Sequence, residues 1–172
     1  KMLCLSARPN AAHKKLAQWE EEGKLAAVVT QNIDGLHQRA GSRRVFELHG
    51  SVLRNACMGC GAPYSVERLL DLRAANPDGV PRCPACGRIV KPEVVLYEEP
   101  LDERTLHEAI TAIAQADLLV IAGTSLSVYP AAGLIDSFQG SRLVIVNRTP
   151  TPRDRHADLC IAANVGDVLD FR

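Results

Sequence analysis

Neither sign of charge is in excess in this chain: twenty Lys and Arg balance twenty Asp and Glu over 172 residues. That balance argues against a protein whose main business is holding nucleic acid or an anionic membrane, because either needs a strongly basic surface. No apolar run approaches the ~18 residues that a membrane span requires, and nothing has the layout of a signal peptide. A G-x-G-x-x-G fingerprint is also missing, which speaks against an ordinary dehydrogenase. There is no internal repeat and no low-complexity tract, and no initiator Met precedes Lys1.

What is present suits a globular protein. Apolar residues make up 47% of the chain, and the length allows one substantial domain with a small appended module. Four of the six cysteines fall in two tight pairs, Cys57/Cys60 and Cys83/Cys86. A disulfide framework would scatter its cysteines through a smaller, loop-rich chain. Paired C-x-x-C points instead to metal binding in a reducing compartment, and the cytoplasm is the expected location. The two pairs, 22 residues apart, can close four thiolates around one tetrahedral ion. Four soft ligands with no open position suit a structural zinc ion. Gly59, Gly61, Pro84 and Gly87 supply the turns. Cys4 and Cys160 stand alone and read as small buried hydrophobes.

Residues 55–91 change in composition, with Cys, Gly and Pro dominant and only Ser65 to Ala75 helical in pattern. They read as an inserted zinc-binding module with too few large apolar residues for a core of its own. Its arginines are scattered and Tyr64 is its one aromatic, a poor platform for stacking nucleobases. On either side, 1–54 and 92–172 show α/β patterning. Asn10 is placed to cap a helix over 11–22 that stops at Gly23, with Leu16 and Trp19 on one face. LAAVVT (25–30), ADLLVIAG (116–123), RLVIVN (142–147) and ADLCIAA (157–163) read as buried strands, VFELHG (45–50) and KPEVVLY (91–97) as further ones. Helices are expected over 102–115, with Leu106, Ile110 and Ile113 inward, over 130–138, and at the C-terminus. The expected fold is a Rossmann-like, doubly wound parallel sheet, in which ligands sit at the carboxyl ends of strands. QNID, GTSL and Asn147 follow such ends directly.

Singly, His49 reads as a structural histidine, and Asn32 and Asp34 as turn residues. Their order in the chain changes that. TQNIDGLHQRAG, ELHG, the two C-x-x-C pairs, GTSLSVYPAA and IVN occur in succession. The chain closely resembles the sirtuin family from about Arg8 to its last helix.

The resemblance implies an NAD-dependent protein-lysine deacylase. In that family the acyl-lysine oxygen attacks the nicotinamide ribose and displaces nicotinamide. A histidine then acts as general base toward a ribose hydroxyl, leaving free lysine and an O-acyl-ADP-ribose. His49 matches the base, a role that suits imidazole chemistry. Asn32, counted with it as catalytic, and Gln31 match residues that hold the ribose and an ordered water. Ile33 and Asp34 match the nicotinamide pocket, Thr124 and Ser125 the adenosine half and phosphate, Asn147 the adenine ribose and Val165 an adenine-side contact. The implied partner is an acyl-lysine peptide lying as an added strand between 92–99 and 125–130. Where many relatives read FFGE, this chain has Leu96-Tyr97-Glu98-Glu99, which sets a negative charge beside that groove.

One departure from the family pattern is large. A sirtuin core begins with a strand, a GAG-x-S loop and a segment carrying Asp-Phe-Arg, and none of these occurs here. The expectation is that this NAD-binding part lies upstream of Lys1 in a longer protein. A catalytically impaired zinc-binding fragment is the alternative. So is an NAD hydrolase or ADP-ribosyltransferase, since the same activated ribose can pass to water or to a protein side chain.

Overall fold

A computed structural model of the chain describes residues 6–171, so Cys4 lies outside them. In chain order the first half holds α1 (Ala11–Glu21), β1 (Val28–Thr30), α2 (Leu36–Ala40), β2 (Val45–Glu47) and β3 (Gly50–Cys57). Next come β4 (Pro63–Tyr64), α3 (Val66–Ala74) and β5 (Val90–Val94). The second half holds α4 (Glu103–Ala114), β6 (Leu118–Ala122), β7 (Arg142–Val146), β8 (Leu159–Ile161) and α5 (Val165–Val168), with a 3-10 helix over Ala131–Ser137. No helix among the described residues is long and apolar enough to cross a membrane.

These elements divide into two compact units. One takes in 7–31, 36–48 and 102–171, and the other 32–35 and 49–101.

The first unit holds all the parallel pairing among the described residues. β1 pairs with β2 and β6-β7-β8 form a three-stranded ladder, so the fold is mixed α/β with parallel sheets. α2, unforeseen in a segment that reads as polar, lies between the parallel partners β1 and β2, which cannot be joined by a tight turn. Asn10 caps α1 as expected, accepting from the His13 N–H at 3.2 Å. Gly23, at φ +70°, takes the left-handed step that ends the helix. The inward face of α1 is the expected one, with Leu16 and Trp19 half-buried, and Ala12 and Lys15 on that same face are its fully buried members. Lys15 manages this by laying its stem inward and its Nζ 4.6 Å from the centre of the Phe171 ring, against which Trp19 also packs at 6.0 Å. On α4, Ile113 is buried as expected, but Ala109 and Ala112 accompany it while Leu106 and Ile110 are half-buried.

Two buried-strand expectations need correction. β6 alternates, with Leu118 47% and Val120 40% exposed, because one of its faces is uncovered among the described residues. Cys160 on β8 is exposed rather than a small core residue.

The second unit is antiparallel, in the order β4-β3-β5. KPEVVLY, expected to continue the parallel sheet, instead forms β5 against β3, with Gly50 opposite Val94 and Cys57 opposite Val90. The unit reaches beyond 55–91 to include 49–54 and 92–101. Its buried cluster consists of Cys57, Leu69, Leu72, Cys83 and Val90, with Ala62 and Tyr64 packed against it. Two of five core members are cysteines, so this unit's stability leans on whatever joins them.

Candidate active site and metal centre

The four paired cysteines converge as their spacing requires. Cys57 ends β3, Cys60 follows in the turn to β4, and Cys83 and Cys86 bracket the turn before β5. All four sulfur atoms lie within 4.8 Å of one another, Cys57 to Cys86 at 3.3 Å and Cys60 to Cys83 at 3.7 Å. A tetrahedral zinc ion with bonds of about 2.3 Å would hold its sulfurs about 3.8 Å apart, so the cluster fits. The N–H groups of Gly59 and Cys60 point at Cys57 Sγ from 3.3 and 3.5 Å, and they lower that thiol's pKa, the Cys60 N–H most. The Tyr64 hydroxyl donates to Cys83 Sγ at 3.0 Å. That bond brings the Cys83 thiol down to about 6 and pushes the phenol up to about 12. In the sequence Tyr64 is a lone aromatic; its place next to a knuckle cysteine in the folded chain is what makes it a support.

The same unit holds His49 and three of the QNID residues. His49 sits in the turn leading into β3, and its carbonyl accepts the Val95 N–H at 3.0 Å. Two residues into β3 the Val52 N–H reaches the carbonyl of Ile33 at 3.0 Å, which fixes Asn32, Ile33 and Asp34 alongside the strand that His49 opens. Gly50 makes this possible. It sits at φ +73°, and a Cβ there would collide with the Glu93 carbonyl oxygen. In the sequence, the glycine of ELHG directly after a candidate base at a strand start is the usable signal of this close approach.

The other expected contacts lie in the parallel unit, where strands run out. Gly123 N–H bonds the Val146 carbonyl and Asn147 N–H that of Ile161, at 3.0 and 3.1 Å, so each ladder runs one residue past its strand. Thr124, Ser125 and Asn147 thereby follow the carboxyl ends of β6 and β7. Thr124 Oγ1 accepts the Leu126 N–H at 3.2 Å, and Asn147 Nδ2 donates to the Thr149 carbonyl at 2.8 Å. Val165 opens α5 just after β8, and its Cγ2 would be 3.6 Å from a Cβ on Gly123. Gln31 directly follows β1. These residues stand at the carboxyl ends of parallel strands, the edge at which open α/β sheets bind ligands.

After β5 the chain turns over 96–99. Glu99 accepts from the Leu96 N–H at 2.9 Å and from Lys91 Nζ at 3.0 Å, and the two together lower its pKa, the Leu96 N–H most. Glu98 stands at φ +72° with an exposed side chain, a backbone state that glycine occupies freely.

Known proteins with this sequence pattern are numerous. The profile of the Sir2 family matches residues 1–130. An NAD-dependent protein deacetylase of Clostridium acetobutylicum is 52% identical over 170 residues, covering 99% of this chain and 68% of the relative. One from Clostridium perfringens is 55% identical, covering 98% and 68%. Among solved structures, a Sir2 complex with p53 peptide and NAD+ superposes with a TM-score of 0.90 at 43% identity, covering 96% of this chain and 69% of the other. A Sir2 protein bound to a propionylated peptide gives 0.91 at 43%, covering 96% and 70%. The chain belongs to the Sir2 family.

Proposed function

We propose that this chain is an NAD-dependent protein-lysine deacylase, which moves the acyl group of a lysine onto ADP-ribose and releases nicotinamide. The observation that carries this reading is the seating of Asn32, Ile33 and Asp34 along β3, the strand that His49 opens. It stands together with the near-complete match to relatives that bear this activity. NAD, when bound, supplies a ribose carbon made electrophilic by the loss of nicotinamide.

His49 takes the proton from a ribose hydroxyl as that oxygen closes on the acyl carbon. Asn32 and Gln31 hold the ribose and an ordered water. Asp34 accepts a hydrogen bond from the nicotinamide carboxamide, and Ile33 keeps water out of that pocket. Thr124 and Ser125 hold the adenosine half and phosphate, Asn147 the adenine ribose and Val165 the adenine side. The four cysteines hold zinc for structure alone, since four thiolates leave no open coordination position. In this reading 55–91 is the zinc-binding module of a catalytic domain made by 1–54 and 92–172. A cytoplasmic location accords with four cysteines that must stay reduced.

The test is to incubate the zinc-loaded protein with NAD and an acetyl-lysine peptide and to identify the products by mass spectrometry. Free lysine peptide, nicotinamide and O-acetyl-ADP-ribose in equal amounts are expected. Nicotinamide with plain ADP-ribose and intact peptide would mean an NAD hydrolase. ADP-ribose attached to the peptide would mean a transferase.

A further inference from the structure

The acidic residues around β5 differ in how they are used. Glu93 pairs with Arg54 at 3.4 Å, and Glu99 is held by Lys91 and the Leu96 N–H. Glu98 makes no hydrogen bond or ion pair among the described residues, and its side chain is exposed. It keeps that place at a backbone angle, φ +72°, that strains any residue with a Cβ and costs glycine nothing. Strain retained at an exposed turn is a reason to look for a ligand.

The neighbourhood suits a peptide. Tyr97 is 99% exposed and Leu96 48%, so two apolar side chains are held out in water beside the carboxylate. β5 is an outer strand of the order β4-β3-β5. The Val95 N–H faces His49, and by the alternation of an antiparallel ladder the Val94 N–H faces the open side. Pro92 has no N–H and the Leu96 N–H is held by Glu99, so the Val94 N–H is the open-side donor of β5 to an extended segment. The charge that would greet it is negative.

We propose that Glu98 sets the substrate class of this deacylase: acyl-lysine peptides that carry Arg or Lys close to the acylated residue, with the cationic group facing the Glu98 carboxylate. The proposal rests on the deacylase reading above.

The experiment measures kcat/KM of the full, zinc-loaded protein on acetyl-lysine peptides that differ only in Arg, Ala or Glu at the positions flanking the acetyl-lysine. An exposed ion pair favours the Arg peptide over the Ala peptide by about 2–5-fold, with the Glu peptide poorest. The difference is expected in KM, because the contact is made equally in ground and transition states. It should fade toward 1 M salt, where screening length shrinks to about 3 Å. E98Q is expected to bring the three peptides within about twofold of one another. E98G should do the same and also melt at a higher temperature, since it relieves the backbone angle.

If the wild-type protein shows no preference for the Arg peptide, or if E98Q keeps that preference, the proposal is wrong while the deacylase reading stands. If no acetyl peptide is deacylated by a protein that retains its zinc, the deacylase reading falls and the proposal falls with it.

Discussion

The carbonyl of Glu93 packs so closely on the α-carbon of Gly50 that no side chain fits there, and so the residue after His49 must be glycine. Gly50 also sits at φ +73°, opposite Val94 in the β3-β5 ladder. Gly50→Ala is expected to lose about 2 kcal/mol or more, from the left-handed backbone and the overlap together. Denaturant melts should show the loss, and deacylation should fall further than stability does, because the shift moves His49.

The metal centre makes a sharp test. Atomic emission should find about one zinc per chain in protein purified without chelators. Cys83→Ser should lose the metal and unfold the second unit, whose core contains Cys57 and Cys83. Cys160→Ser, at an exposed position in the middle of β8, should change neither metal content nor melting temperature. Zinc-free protein that remains fully folded would remove the claim that the ion is structural.

His49→Ala is expected to cut acetyl-lysine deacylation by about 10²–10⁴-fold in single-turnover assays, as the loss of a general base does. Zinc content should be unchanged, since His49 is not one of the four clustered cysteines, and its main-chain carbonyl still accepts the Val95 N–H. Near wild-type turnover in the variant would assign the base elsewhere.

Asn147 keeps one side-chain amide proton on the Thr149 carbonyl, which fixes the orientation of its side chain. Asn147→Ala should raise KM for NAD by about 5–10-fold, the worth of one net hydrogen bond. Initial rates at varied NAD should show kcat little altered.

Acid stability has a sign that can be worked out. The Asp102 pKa is lowered, first by the Thr105 N–H and then by the Thr105 hydroxyl, which donate to its Oδ2 at 2.8 and 2.7 Å. A carboxylate held down in the fold contributes stability that is complete above its unfolded value, near about 4, and is lost as pH falls through the folded one. Asp102→Asn keeps a capping oxygen but not the charge. Its urea midpoint should lie below wild type at pH 7, and the two should converge as pH drops below about 4. A gap that stays constant with pH would show that Asp102 caps α4 without any contribution from its charge.

Much of this protein is legible along the chain because the relevant physics is local. Helix caps act within one turn, so Asn10, Ser65 and Asp102 mark their helices in the sequence and in the fold alike. C-x-x-C closes a knuckle within four residues, and residues that follow a parallel strand must emerge at its carboxyl end. What the tertiary structure alone decided is pairing and exposure. KPEVVLY has the apolar content of a parallel strand, yet it lies antiparallel on β3, a choice made by residues some forty positions earlier. LLVIA reads as buried, yet it exposes Leu118 and Val120, because burial belongs to the neighbours a strand finds and not to its own composition. Gly50 and Glu98 share the left-handed backbone region, and only the folded contacts separate them. One is forced to be glycine by a carbonyl, and the other is left free to carry a charge.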